Sequence, residues 1–360
     1  MNRQKVYLTL QNGTVFTGFS FGSKKDVTGE LVFSTGMVGY IENLTDPSNY
    51  GQMIVQTFPL IGNYGIISSD VESDKAWATA LIVREICESP SNFRMEGDLS
   101  TYMQENGVVG VYGVDTRQLT KILREEGSMN ARISTKKLTK EEIENLAQYK
   151  QCEGVKAVAP TDKKVYPCEN KKYSIALWNL GAKYSTIKHF TEKGCEVISM
   201  PADSTAEEIL ALNVDGVVVA DGPGDPKENV GVIQELKKLL GKKPMYGVGL
   251  GHQLIALATG ADTKKQKYGH RGSNQPVKCL HCGKVYISAQ NHGYEVINDS
   301  VTCGKIKFIN ANDGSCEGID YETLNAFTTQ FAPEACGIGY VENPLYNKFF
   351  AMMEKEKENA

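Results

Sequence analysis

The sequence predicts an α/β protein in two parts: an N-terminal α+β domain over residues 1–148 and, over 173–353, a domain on a parallel sheet with an antiparallel strand addition. Three observations carry that reading. A chain of 360 residues exceeds one ordinary core and suits two domains. After residue 172, the short apolar runs "YSIALWNL", "CEVISMPA", "DGVVVAD" and "KPMYGVGL" alternate with helical stretches such as "AKYSTIKHFTEKG" and "VGVIQELKKLLGKK", the rhythm of parallel strands covered on both faces. Between the two parts, residues 149–172 lose periodicity and gather Pro, Gly, Lys and Asp, the composition of a linker.

The elements follow in order. "VYLTLQNGTVFTGFSFG" alternates apolar and polar residues about Asn12-Gly13, the pair best suited to the two positive φ angles of a type I′ hairpin turn. Strands are expected at "GELVFSTG" and "QMIVQTFPL", then helices at "DLSTYMQENG" and "DTRQLTKILREEG". The second of these has Asp115 as N-cap and Gly127 as its stop, and a third helix opens at Thr139 with Glu142 completing a capping box. Beyond Gly269 the stretches "KVYISAQNHGYEVI", "IKFINAN" and "NAFTTQFA" read as added strands, and residues 354–360 as a frayed polar tail.

Composition narrows the function classes. A net charge of −4 with mixed signs gives no basic field for nucleic acid, so small-molecule or protein partners are expected. No apolar run reaches the roughly 18–20 residues that span a bilayer, and "MNRQKVYLTLQNGTVF" has no apolar signal core. Nine cysteines without an export signal point to reduced thiols and a cytoplasmic protein. "CLHC", Cys279 to Cys282, lacks a second ligand pair at matching spacing, so it is read as a hairpin tip, and no metal is expected.

Two loops are built for close backbone approach at the carboxyl ends of parallel strands, where such sheets bind ligands. "DGPGDP", Asp221 to Pro226, alternates Gly with Pro. "GVGLGHQ" is a strand, a sharp turn and a helix start, the mount of a nucleophile elbow, with unpaired N–H groups suited to an oxyanion. The residue on that mount is Gly249.

In chain order, "DGPGDP", "GVGLGHQLIALATG", "GHRGSNQPV", "AQNHGYEV" and "QFAPEA" resemble the class I glutamine amidotransferase domain. "STGMVGYIENLTDPSNYGQMIVQTFPLIGNYG" and "GVDTRQLTKILREEGSM" resemble the small subunit of carbamoyl phosphate synthetase, so the likeness covers nearly the whole chain. It implies a flavodoxin-like amidotransferase fold in the second domain. It further implies an N-terminal domain that docks on a large subunit, a heterodimer, and a role in arginine or pyrimidine biosynthesis. In that family a cysteine attacks the glutamine carboxamide, a histidine and a glutamate activate it, and ammonia passes to the large subunit, which uses ATP and bicarbonate. No cofactor is expected on this chain itself.

Carried over residue by residue, the nucleophile falls on Gly249, the histidine on Ala332, and only Glu334 is retained. The implied glutamine contacts are Gly222, Gly224, Gln253, Asn291, Gly293 and Tyr294, and Leu250 supplies the oxyanion N–H. None of His189, His252, His270, His281 and His292 lies near position 332 in sequence, and Cys303, Cys316 and Cys336 occupy no elbow. Further departures are Asn179-Leu180-Gly181, Ala220-Asp221 and "GIGYVENPLY". Without a thiolate the two-step covalent route is closed, so the glutaminase is expected to be silent. The surviving task would be support of a large subunit that uses free ammonia. Alternatives are a glutamine-hydrolysing subunit present as an inactivated variant, or a module that senses bound glutamine.

Overall fold

The computed structural model describes residues 4–151, 153–336 and 343–359. The chain forms two compact units, Met1–Cys152 with Lys267–Gly272, and Glu153–Gln266 with Ser273–Ala360.

In the first unit the strands are β1 (Lys5–Leu10), β2 (Val15–Gly22), β3 (Val27–Ser34), β4 (Gln52–Gln56), β5 (Leu60–Ile61), β6 (Ala80–Ile82), β7 (Glu85–Ile86), β8 (Val109–Tyr112) and β9 (Met129–Ser134). All but β5 and β7 close into a barrel in the order β1-β2-β8-β6-β4-β3-β9. Alternation along the strands feeds two apolar clusters: Met53, Val55, Ala80 and Ile82 join one, Ile54 and Leu81 the other. The hairpin between β1 and β2 forms where the sequence predicts it, with Thr9 opposite Val15. Its turn is different. Only Gly13 has a positive φ, 86°, and its N–H donates to Leu10 O, which makes a three-residue loop ending in a G1 bulge rather than a type I′ turn. The Asn12 side chain contributes by accepting from Thr14 N at 2.9 Å.

The three expected helices are Leu99–Glu105, Thr116–Glu126 and Lys140–Ala147. Asp115 caps the second by accepting from Gln118 N at 3.0 Å, and Gly127 ends it with φ 102°. Thr139 and Glu142 form the reciprocal capping box.

The second unit carries β10 (Lys164–Tyr166), β11 (Tyr173–Trp178), β12 (Cys195–Met200), β13 (Gly216–Val219), β14 (Met245–Val248), β15 (Thr263–Cys279), β16 (Val285–Val296), β17 (Lys305–Asn310), β18 (Cys316–Tyr321), β19 (Ala326–Thr329) and β20 (Ala332–Cys336). The sheet order is β10-β12-β11-β13-β14-β19-β18-β17-β15-β16-β20, and residues 267–272 of β15 group with the first unit. Its parallel core, β12-β11-β13-β14-β19, is the 2-1-3-4-5 order of flavodoxin-like folds. Both faces are buried: Ala176, Trp178, Val217 and Val219 pack on one side, Ile175, Leu177, Val218 and Tyr246 on the other. That explains the continuous apolar runs in these strands. Outward from β19 in the sheet order, the strands β18 to β20 are the antiparallel addition.

Two expectations need correction. The stretch 149–172 is not a bare linker: it contains the short helix Gly154–Val158, and β10, whose Val165 pairs with Ile198 at the sheet edge. A three-residue edge strand beside lysines carries too little apolar periodicity to be read from sequence. The tail is not frayed either, because the helix Pro344–Asn359 runs through it, with Glu354 accepting from Tyr173 OH at 2.5 Å and Lys357 paired with Asp215 at 3.1 Å. Among the described residues, no helix is long and apolar enough to cross a membrane.

Candidate functional site

Strands β11, β13 and β14 are parallel neighbours, so the loops leaving their carboxyl ends lie side by side. On the third of these loops Gly249 takes φ 55° and ψ −111°, a conformation that glycine adopts readily and other residues adopt only under strain. Its N–H donates to Thr329 O at 2.9 Å, and Gly251 N donates to Ala220 O at 3.1 Å, which ties the elbow to β19 and to the end of β13. A Cβ on Gly251 would overlap Val219 O, so the turn closes only because that residue is also glycine. The helix Leu250–Ala258 starts directly after the elbow.

The elbow is not empty space. Asp221 Oδ1 accepts from Gly222 N at 2.8 Å and from Leu250 N at 2.9 Å. A Cβ built on Gly249 would lie 2.6 Å from Asp221 Oδ2 and closer still to Oδ1 and Cγ. Gly222, Gly249 and Leu250 are therefore gathered around one carboxylate belonging to the chain itself. Gly222 also sits so close to Leu180 O that a side chain there would collide with it.

Gln253, on the first turns of the elbow helix and 3% exposed, donates through Nε2 to Tyr294 O and to Gln330 Oε1, both at 2.9 Å. It thereby ties the helix to β16. Asn291, Gly293 and Tyr294 lie half-buried on β16, while Gly224 is exposed with φ 93°.

Glu334 stands on β20 with Ala332, which pairs with Ala289. Its carboxylate is engaged by Lys183 Nζ at 3.3 Å, Thr186 Oγ1 at 2.8 Å, Ser185 Oγ at 3.4 Å and Tyr346 OH at 3.3 Å. Burial pushes its pKa up, but the Lys183 ammonium and the hydrogen bonds outweigh that and hold it below the ordinary carboxylate value. Glu334 is thus part of a buried ion pair.

Two histidines lie on the neighbouring helices, one beside Tyr346 and one beyond the elbow. His189 stacks on Tyr346 with centroids 4.0 Å apart, and burial lowers its pKa although the Glu334 charge opposes the shift. Sequence distance hid this neighbour of the glutamate. His252, three residues past the elbow, is fully buried; its Nδ1 meets Thr328 Oγ1 at 2.8 Å and burial takes it down to about 3, so it stays neutral.

Neither Cys303 nor Cys316 stands at the elbow, which is formed by Val248, Gly249 and Leu250. Cys316 is buried and pushed up to about 12, the opposite of an activated nucleophile. Cys303 stands three residues past the 3₁₀ turn Asn298–Ser300, and Cys282 is exposed where the chain turns between β15 and β16. The side chain of Cys336 and residues 337–342 of "GIGYVENPLY" lie outside the described residues.

Sequence reading missed Lys183, Thr186 and Tyr346 as partners of Glu334, and Asp221 as the occupant of the elbow. The signal for Asp221 was present, since Ala220-Asp221 was one of the departures from the family pattern. For Lys183 the only signal was a lysine at the start of the first helix of the sheet domain.

Residues 8–133 match the family profile "Carbamoyl-phosphate synthase small chain, CPSase domain", and residues 177–352 match "Glutamine amidotransferase class-I". The carbamoyl phosphate synthase small chain of Clostridium perfringens is 45% identical over 92% of this chain and 95% of its own length. That of Bacillus cereus (strain ATCC 10987) is 43% identical over 99% of this chain and 98% of its own. The carbamoyl phosphate synthase pyrimidine-specific small chain of Bacillus subtilis is 42% identical over 98% of both. Coverage from end to end, with both domains matched in order, establishes that the chain belongs to the carbamoyl phosphate synthase small chain family.

Proposed function

We propose that this chain is a carbamoyl phosphate synthase small subunit whose glutaminase is silent, and that it supports a large subunit fed by free ammonia. The large subunit would use ATP and bicarbonate, in arginine or pyrimidine biosynthesis in the cytoplasm. The observation that carries the reading is the elbow: the backbone keeps the bend of a nucleophile mount, yet position 249 has no side chain and its space is taken by Asp221. A covalent glutamyl intermediate needs a nucleophile on that mount and a base beside it. Position 332 offers a methyl group, and the Glu334 carboxylate that would orient a base is engaged by Lys183.

The docking role of the first unit rests on family membership, because that half of the chain has no glutamine chemistry to explain it. Co-expression with the cognate large chain tests both parts of the reading. The two chains are expected to co-elute at micromolar concentration and to make carbamoyl phosphate from ammonium, with no rate from glutamine above the ammonium-free blank. Separate elution removes the support role. A glutamine-dependent rate removes the silent-site reading.

A further inference from the structure

Asp221 does more than mark a departure from the family sequence. Its carboxylate sits where two otherwise separate groups would have to be placed: the side chain of residue 249, and an oxygen held by the N–H groups of Gly222 and Leu250. The two N–H groups come from different loops, 28 positions apart, one after β13 and one at the start of the elbow helix, and they meet on one oxygen, Oδ1.

We propose that Asp221 is the specificity-determining residue of this pocket, a built-in occupant that excludes a glutamine carboxamide from the hydrolytic pose. The proposal rests on the silent-site reading and adds to it. A carboxamide oxygen entering the cradle would need the same two donors. Asp221 holds them through charge-assisted bonds, roughly twice as strong as those a neutral carbonyl makes, and as a tethered group it competes at high local concentration. The same oxygens fill the volume into which a side chain at 249 would grow. Loss of a side chain at 249 and entry of Asp221 are therefore one coupled change, and each explains why the other is tolerated. A half-buried pair of N–H groups without an acceptor would carry a cost, and Asp221 removes it.

The structural half is tested by thermal unfolding of four full-length proteins: the native chain, Gly249→Ala, Asp221→Ser and the double variant. Gly249→Ala is expected to lower the midpoint at least about 4 °C further when introduced into the native chain than when introduced into Asp221→Ser, a shift large for a unit of this size. Failure of Gly249→Ala to fold while the double variant folds supports the coupling equally. Equal losses in both backgrounds, or failure of both variants to fold, overturn it.

The ligand half uses Asp221→Ser alone, with calorimetric titration of L-glutamine. Binding is expected to be at least about tenfold tighter than in the native chain. In parallel, backbone NMR should show the Gly222 and Leu250 amide protons losing the downfield shift of a carboxylate-bonded N–H in Asp221→Ser. Equal glutamine responses in the two proteins, including none in either, overturn the proposal. This failure is distinct from that of the silent-site reading, which would show as glutamine turnover by the native chain.

Discussion

At the scale of single residues, the proposed silent site turns on what stands at 249, 221, 332 and 334. That Gly249 and Ala332 stand at the nucleophile and base positions is what the family resemblance implies; the structure adds the bend at 249 and the place of 332 on β20. Asp221 was legible only as a misfit, since which way a side chain points from a Gly-rich loop is set by the space around it. The sequence alone implies that Gly249→Cys with Ala332→His restores some hydrolysis. The Asp221 carboxylate in the elbow changes that expectation: the double variant should form no glutamyl thioester in single-turnover assays, whereas adding Asp221→Ser should allow one. A thioester in the double variant would show that Asp221 moves aside readily. Lys183 gives a second prediction. Lys183→Met leaves Glu334 buried beside an apolar side chain and is expected to cost about 3–5 kcal/mol near neutral pH, read by urea unfolding. Because the Glu334 pKa is depressed in the folded chain, its contribution is present above the ordinary value of 4.5 and is lost as pH falls through the folded value. The gap between Lys183→Met and the native chain should therefore close on acidification. Glu42 works in the opposite sense. Burial raises it to about 7, and its Oε2 has no hydrogen-bond partner among the described residues, so the folded state carries a cost that grows between pH 4.5 and about 7. Glu42→Gln is expected to stabilise the first unit by about 1–3 kcal/mol at pH 8 and not at pH 4.

At the scale of elements, strong local chemistry made most of the fold readable. The Asp115 cap, the Gly127 stop and the capping box at Thr139 stand where side-chain chemistry demands them, because each satisfies N–H or C=O groups that the helix leaves unpaired. Asp115→Ala is expected to cost the first unit about 1 kcal/mol in chemical denaturation, with Asp115→Asn close to native. An unchanged midpoint would show that the helix is held by packing of Leu119 and Leu123 alone. The elements that were misread are those whose stability comes from elsewhere in the fold. β10 is fixed by its pairing with β12, and the tail helix by Tyr173 and Asp215. Neither has a strong signal of its own. The hairpin turn was misassigned because Asn-Gly suits both a type I′ turn and a G1 bulge, and loop length decides between them.

At the scale of the whole molecule, the chain forms two units, and the return of residues 267–272 to the first was not legible in the sequence, because no local pattern records a distant partner. In that unit Ser128 N donates to Lys267 O at 2.7 Å, Thr35 N donates to Arg271 O at 3.1 Å, and Phe33 faces Tyr268 with centroids 5.6 Å apart. A fragment ending at residue 152 lacks these partners, so it is expected to exchange its Ser128 and Thr35 amide protons faster than the intact chain does. Glutamate release from L-glutamine, in the chain purified together with a large chain, decides whether the amidotransferase scaffold is kept without its chemistry. No release is expected beyond the roughly 10³- to 10⁴-fold over water that binding and oxyanion donors alone leave in a stripped hydrolase. Release near roughly 1 s⁻¹, at the low end of ordinary enzyme turnover, and abolished by a thiol-alkylating reagent, would contradict the silent-site reading.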